Sequence, residues 1–415
     1  MNRQTLRYWP AILLTAATLL LIPHAGRAQS SPNTLDVVSW NIEYFGAPYN
    51  SGPPNKDVQE MNAKRILRML DADIYGVLEI VDTLRFRRLV DSLGQGEYAF
   101  VIAPYCSSNT TGTGNSWTSG QKQAYIYRRS VFTNVSTRGM MRNSSAAYTN
   151  WGSGRFPFQL SATATINGVS RNLNFILLHG KAGATQTDYD RRFAAAQELK
   201  DTLDAYYNST LNLIIGDYND ALNTSIFAGA TTSSYISIVA DSTDTDSYKS
   251  ITLPLGAAGQ STMINFPNVI DNHVISNEVV PFYIPNSAKV RTDVTTIVPD
   301  YVSAANTSDH YPVFSQYNLS GVVTSVPPTP AADWGLFLYP NPGRSSYYIR
   351  TTQTQPATQA RLFSGSGQLI WNGRLPRLSA GSTYSLPLPP LSNGNYYLEL
   401  TQGNQRTRLS LMEVK

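Results

Sequence analysis

Four acids, two amides and two histidines stand at the ends of apolar runs in this chain, and together they suit attack on a phosphate ester. They fall in five short motifs in one order: SWNIEYFG from Ser39, YGVLEI from Tyr75, LLHGKA from Leu177, IIGDYND from Ile214 and TSDHYPVF from Thr307. Each motif follows an apolar run or leads into one, which places a carboxylate, amide or imidazole at the end of a buried strand. Several such ends meeting at one edge of a sheet would form a divalent-metal site beside two histidines. Metal-assisted hydrolysis of a phosphodiester needs that inventory.

Asn41 and Glu43 are two apart, so on a strand they share a face and present an amide and a carboxylate together. Glu79 closes the apolar run IYGVLE, where a carboxylate is costly unless it is paired or bound to metal. His179 precedes Gly180 and Lys181, so it stands at a turn, able to donate a hydrogen bond or a proton to a phosphate oxygen. Asp217 can orient or deprotonate a water, and the Asn219 amide can donate to charge developing on a phosphoryl oxygen. The same GDYND string also suits an ordinary Asp/Asn turn. His310 can act as a general base, with Asp309 beside it as its partner or as a metal ligand. Oxygen ligands of this kind favour Mg2+ or Mn2+ over zinc.

The elements that must position these groups are legible. VVSW, YGVL, AYIY, LNFILL and LNLII read as short strands. Residues 57–70 and 187–207 read as helices, the second with Phe193, Ala196, Leu199, Leu203 and Tyr206 at helical spacing. Arg3 and Arg7, an apolar run from Ala11 to Ile22 and small residues up to Ala28 read as a signal peptide over 1–28, with a mature start near Gln29. That run is too short to favour a transmembrane helix, so no span is expected. The catalytic domain is expected over 29–321. A proline-rich linker follows over 322–334. Residues 335–415 show short alternating strands between Gly, Asn and Pro turns, which describes a small all-β sandwich.

The net charge of +4 hides an asymmetry. Residues 335–415 carry 8 Lys/Arg against 2 Asp/Glu, while 29–334 carry 21 against 26. The catalytic part is therefore acidic, and any cation needed for a phosphate substrate must be local or a metal. Cys106 is the single cysteine, so no internal disulfide forms.

Taken together, the five motifs resemble the endonuclease/exonuclease/phosphatase superfamily over about residues 33–319. The resemblance implies a four-layer α/β/β/α sandwich with its site at one end of two packed sheets. It implies metal contact for Asn41, Glu43 and Glu79 with Asp309 nearby, and His179 as a phosphate-contacting acid. Asp217 and Asn219 would surround the nucleophile, and His310 would be the base or the principal phosphate partner. Asp271, in NVIDNHVIS, resembles the acid that orients the final histidine, and His273 two residues on has no settled role. Arg155, in GRFPFQLSA, resembles an arginine near the substrate phosphate. The mid-domain tyrosine of the superfamily could be Tyr125 or Tyr127. LYPNPGRSSYYIR, RLFSGSGQLIW and LPPLSNGNYYLEL resemble the C-terminal sorting domain of the type IX secretion pathway, implying that machinery as a partner. A carbohydrate- or surface-binding β-module is the alternative for that segment.

The expectation is an exported monomeric phosphodiesterase, a nuclease acting on DNA or RNA. A phosphatase or sphingomyelinase-like enzyme on an inositol or lipid substrate is the first alternative, and a non-catalytic surface protein the second. Asp241, Asp244 and Asp246 have the look of a calcium loop but lack its Gly and final Glu, so a polar surface loop is expected. Residues 107–120, with Trp117, are expected to form a mobile loop near the site.

Overall fold

A computed structural model describes residues 33–48, 51–94, 96–240, 247–303, 305–320, 334–364, 369–402 and 405–414. The signal segment 1–28, the start near Gln29, the linker apart from Trp334, and Asp241, Asp244 and Asp246 lie outside the described residues.

The chain opens with β1 (Leu35–Phe45), α1 (Lys56–Leu70), β2 (Ile74–Ile80), α2 (Thr83–Asp91), β3 (Tyr98–Ile102), α3 (Asn115–Ser119) and β4 (Lys122–Arg128). It continues through β5 (Phe132–Gly139), α4 (Ser145–Asn150), β6 (Phe158–Ile166), β7 (Val169–His179), α5 (Gln186–Tyr207), β8 (Leu211–Asp217) and α6 (Ile236–Val239). Then come β9 (Tyr248–Ser250), α7 (Leu253–Ala257), β10 (Asp271–Ser276), β11 (Lys289–Val290) and β12 (Val313–Tyr317). Two six-stranded sheets result, in the orders β11-β12-β1-β2-β4-β3 and β5-β6-β7-β8-β10-β9.

The sheets pack face to face because their strands are apolar on both sides. In β1, Leu35 and Val37 join the core between the sheets, while Val38, Trp40 and Ile42 pack with Ala63, Ile66, Leu67 and Leu70 of α1. At Gly76 the sheets come so close that a Cβ would lie 2.8 Å from Leu177 Cδ1. α1 and α2 cover the outer face of the first sheet. α5 covers the second with Ala195, Ala196, Leu199 and Leu203. The architecture is α/β, a four-layer α/β/β/α sandwich.

α5 starts where a Thr185–Asp188 capping box satisfies its first N–H groups. Its buried stripe differs from the sequence reading at two positions. Phe193 is 40% exposed and Tyr206 77% exposed, and Arg192 is buried in their stead. A 3–4 spacing fits more than one face of a helix, and the sequence did not separate them.

His273 is a joint between the sheets. Its ring nitrogens meet Ser315 Oγ at 2.8 Å and Ser39 Oγ at 3.0 Å, and it is fully buried. Burial pushes its pKa down to about 3, so it stays neutral. His273→Ala is expected to cost about 2–4 kcal/mol by leaving the Ser39 hydroxyl unpartnered beside a cavity, with Ser315 keeping only its contact to the Tyr317 hydroxyl, read as a lower urea midpoint.

Beyond residue 333 lie β13 (Leu336–Tyr339), β14 (Tyr348–Thr351), β15 (Thr358–Ser364), β16 (Leu369–Leu375), β17 (Thr383–Ser385), β18 (Gly394–Gln402) and β19 (Gln405–Glu413). They form a three-stranded sheet, β13-β14-β17, and a four-stranded sheet, β16-β15-β18-β19. Leu336, Ile349, Leu362, Leu398, Leu400 and Leu411 fill the space between them. This is the small all-β sandwich expected from the sequence.

Candidate active site

The second sheet sets three groups in a row. β7 runs parallel to β8 with His179 opposite Asp217, and β10 runs antiparallel to β8 with Asp271 opposite Asp217. The first sheet brings Asn41 from β1, just before its register with β2 shifts, on the face that carries Leu35, Val37 and Ser39. The Asn41 Nδ2 donates to Glu79 Oε1 at 3.2 Å and to Asp217 Oδ2 at 3.2 Å, joining the two sheets.

β1 at Asn41 and β8 at Asp217 turn alike. Asn41 Oδ1 accepts from the Glu43 N–H at 3.0 Å, and Asp217 Oδ1 accepts from the Asn219 N–H at 2.8 Å. Each side chain thereby closes a local turn over its own backbone. Each turn then places a non-glycine residue at positive φ: Glu43 at 41°, followed by Tyr44 at 46°, and Asn219 at 50°. Such conformations cost energy and gather where a site needs a particular geometry.

Glu79 reaches the site by a bulge. Strict alternation along β2 would turn it toward α1, because Leu78 faces the second sheet and Val77 and Ile80 face the helices. The register slips between Val77 and Ile80 against β4, and Glu79 takes φ 64°. An extra residue of this kind re-aims a side chain. Glu79 Oε2 then accepts from the Tyr44 N–H at 3.0 Å, and Oε1 lies 3.5 Å from His179 Nε2.

Close approach fixes the turn after His179. A Cβ at Gly180 would lie 2.3 Å from Tyr218 O, so no larger residue fits. The Gly180 carbonyl accepts from Arg155 Nη2 at 2.8 Å and from Asn219 Nδ2 at 3.3 Å. Arg155 Nη1 lies 3.0 Å from His179 Nε2 and also donates to Gln121 Oε1. Arg155 is thus inside the site, among the groups that hold His179.

His310 arrives on the loop before β12. Its Nδ1 meets Asp271 Oδ2 at 2.7 Å. Its backbone carbonyl accepts from Trp40 Nε1 at 2.9 Å and from the Tyr301 hydroxyl. Ser308 Oγ bonds the Asn41 carbonyl at 2.7 Å and accepts from the His310 N–H at 3.0 Å. Trp40, Tyr301, Ser308 and Gln121 were not singled out in the sequence. Trp40 and Ser308 had a signal, lying inside the SWNIEYFG and TSDHYPVF motifs.

Asp309 lies 3.8 Å from His310 Nε2, and its charge, with that of Glu79, raises the Glu43 carboxyl. Glu43, Glu79 and Asp309 therefore crowd one side of the site. Among the described residues, Asp217, Asp271 and His310 form a tighter buried group, with one atom of each within 4.8 Å of the others. Tyr125 is a core residue whose hydroxyl donates to Phe158 O at 2.9 Å, and Tyr127 packs against Phe132. The 107–120 segment contains the short helix α3 and is tied down by Asn109, which donates to Thr113 O and Ser116 Oγ. Lys122 stacks over Trp117 at 4.8 Å.

The electrostatics separate the titrating groups. Burial, then Asp309 and Glu79, push Glu43 up to about 7. Burial and the neighbouring Asp271 push Asp217 up to about 7. Burial also raises Glu79 and Asp309. Burial and then Arg155 hold His179 well below the ordinary imidazole value, so it is neutral. Burial opposes a charge on His310, but Asp271, with Asp217 and Asp309, outweighs it and raises the His310 pKa well above the ordinary imidazole value, which favours the imidazolium. Burial is the first cause for all four raised acids, and repulsion by a neighbouring carboxylate adds to it at Glu43, Asp217 and Asp309. Asp271 Oδ1 is buried with no hydrogen-bond partner among the described residues.

Residues 337–412 match the family described as the secretion system C-terminal sorting domain. The β-sandwich is that sorting domain. It directs the chain to the type IX secretion machinery and so to the cell surface or the extracellular space. No helix among the described residues is long and apolar enough to cross a membrane. A search of curated proteins finds no match. Among solved structures, the chain is similar to an endonuclease/exonuclease/phosphatase from Beutenbergia cavernae, at 12% identity and TM-score 0.46, covering 91% of this chain and 100% of that one. It is also similar to one from Bacteroides vulgatus (14%, TM-score 0.45, 68% and 98%) and to the human Nocturnin catalytic domain with bound sulfate (14%, TM-score 0.44, 70% and 95%).

Proposed function

We propose that this protein is an exported, divalent-metal-dependent phosphodiesterase that hydrolyses DNA or RNA. The observation that carries the reading is the convergence of Asn41, Glu79, His179, Asp217, Asn219 and the Asp271–His310 pair at one end of two sheets. The raised carboxyls support a cation, because a dication would offset the cost of burying their charged forms. The donors are oxygens, which suits Mg2+ or Mn2+. Glu79, with Glu43 and Asp309, would hold the ion, and Asn41 aligns Glu79 with Asp217. When bound, the ion supplies Lewis-acid stabilisation of a phosphoryl oxygen.

The residues divide the remaining work by their environments. Asp217, with its pKa pushed up to about 7, is suited to take a proton from an attacking water near neutral pH. Asn219 fixes the orientation of that carboxylate through two hydrogen bonds, at 2.8 Å from its N–H and 3.1 Å from Nδ2. The His310 imidazolium, held by Asp271, offers a positive charge to a phosphate oxygen. Neutral His179, braced by Arg155, offers a hydrogen bond to another. A nucleic-acid substrate is preferred to a lipid because, among the described residues, the exposed large apolar side chains before the sorting domain are scattered, Met61, Leu84, Tyr148, Phe193 and Tyr206 over four helices, Tyr44 on β1 and Val302 on a loop, and form no hairpin that would enter a membrane.

The test is release of acid-soluble fragments from plasmid DNA and from RNA, with Mg2+, Mn2+ or EDTA. His310→Ala is the blank, expected to lose about 10²–10³-fold as a charge-stabilising donor. Metal-dependent cleavage lost in that variant supports the nuclease reading. Folded, metal-binding protein that leaves both polymers intact removes it and moves the substrate to a phosphomonoester or phospholipid head group.

A further inference from the structure

Two loops deliver the groups on the second sheet. One, 180–185, follows His179, and the other, 218–235, follows Asp217 and carries Asn219. Besides the Gly180 contacts, the first is tied to the start of α5 by Lys181–Asp188 and Thr185–Asp188, each at 2.7 Å, and the second to the residue before β10 by the Tyr218 N–H on Ile270 O at 2.9 Å. Arg192 of α5, fully buried, donates from Nη1 to Lys181 O at 2.8 Å and to Gly183 O at 2.7 Å. Its Nε donates to Ser234 Oγ at 3.2 Å and lies 3.7 Å from Asp220 Oδ2. Asp220 is equally buried. Its oxygens accept from the Ala221, Ile226 and Ser234 N–H groups and from the Ser225 and Ser234 hydroxyls.

We propose that the Arg192–Asp220 pair is a positioning device that locks both loops to α5 and so sets His179 and Asn219 relative to Asp217. Neither charge takes part in the proposed chemistry. A buried ion pair is a weak source of stability, because desolvation offsets its attraction. Arg192 Nη2 has no partner among the described residues, a further cost that an arrangement serving stability alone would avoid. What the pair does provide is a fork that fixes two carbonyls of one loop and a carboxylate that fixes five donors of the other. The shared Gly180 carbonyl couples the loops, so a shift in one moves both.

The effect on catalysis rests on the hydrolase reading; the positioning itself does not. The test compares full-length wild type with Asp220→Asn, Arg192→Lys and the milder Ser234→Ala. Amide hydrogen exchange is expected to rise in 180–185 and 218–235 together in each folded variant, with β1 and β2 unchanged. Hydrolysis of bis(p-nitrophenyl) phosphate is expected to lose about 10- to 100-fold in kcat with KM and Mn2+ affinity little changed, and least in Ser234→Ala. Exchange that rises in one loop only, or in neither, overturns the proposal. So does an unchanged kcat in an otherwise active enzyme. A wild type that hydrolyses nothing defeats the hydrolase reading, and the exchange data then decide the positioning on their own.

Discussion

Asp217→Asn is expected to slow hydrolysis by about 10²–10⁴-fold, the range for losing a positioned proton acceptor. The substitution keeps the shape of the side chain, and the Asn219 N–H can still find an oxygen, so binding of substrate should change far less than turnover. The pH profile is the sharper measurement. Asp217 must be ionised to accept a proton, so the wild-type rate should fall as pH drops through about 7, or through a lower value when a bound cation favours the carboxylate. The variant should lack that acidic limb. A variant that keeps the limb would assign the base to another group.

Removal of metal should give the second large effect, on stability as well as on rate. Glu43 and Asp217 are pushed up to about 7, and Glu79 and Asp309 are raised too. Each therefore holds its proton more tightly in the folded chain than in the unfolded one. Between the ordinary carboxyl range and about pH 7, unfolding releases those protons. Stability contributed by the neutral forms is thus present at low pH and lost as pH rises toward 7. In EDTA, the melting temperature should be lower at pH 7.5 than at pH 5. Mg2+ or Mn2+ should restore it at pH 7.5 and do little at pH 5, where protons compete for the same oxygens. At about 100 times its dissociation constant, a ligand specific to the folded state adds about 2.7 kcal/mol. A melting temperature indifferent to metal at pH 7.5 would remove the cation from the proposal, and with it the expected loss of activity in EDTA.

Much of this arrangement could be read from the residues. The five motifs mark strand ends because each apolar run stops at a polar group or, in TSDHYPVF, starts after one, and the sheets do bring those ends together. Other features depend on contacts no linear pattern carries. Period-two alternation points Glu79 away from the site, and only the bulge in β2 brings it back. Alternation rightly puts Asp271 and His273 on one face, yet says nothing of depth. Asp271 meets a loop histidine, while His273 is sealed between sheets. Arg192 and Asp220 look like ordinary charges on a helix and a turn, because a buried pair betrays itself only when the partner is known. The sorting domain was more legible, since its short alternating strands and turn residues are local signals.

The four non-glycine residues in left-handed conformation at the site, Glu43, Tyr44, Glu79 and Asn219, bear on how this protein can change. Each departure from the ordinary backbone costs on the order of 1 kcal/mol or more. Glycine would relieve that cost at every one of them, and at three it would also delete a group of the site. A selection for heat resistance alone would therefore be drawn to the mouth of the candidate site and would trade away the proposed catalysis first. Thermal hardening of this fold without loss of activity has to begin elsewhere, in the helices and turns that never meet a substrate.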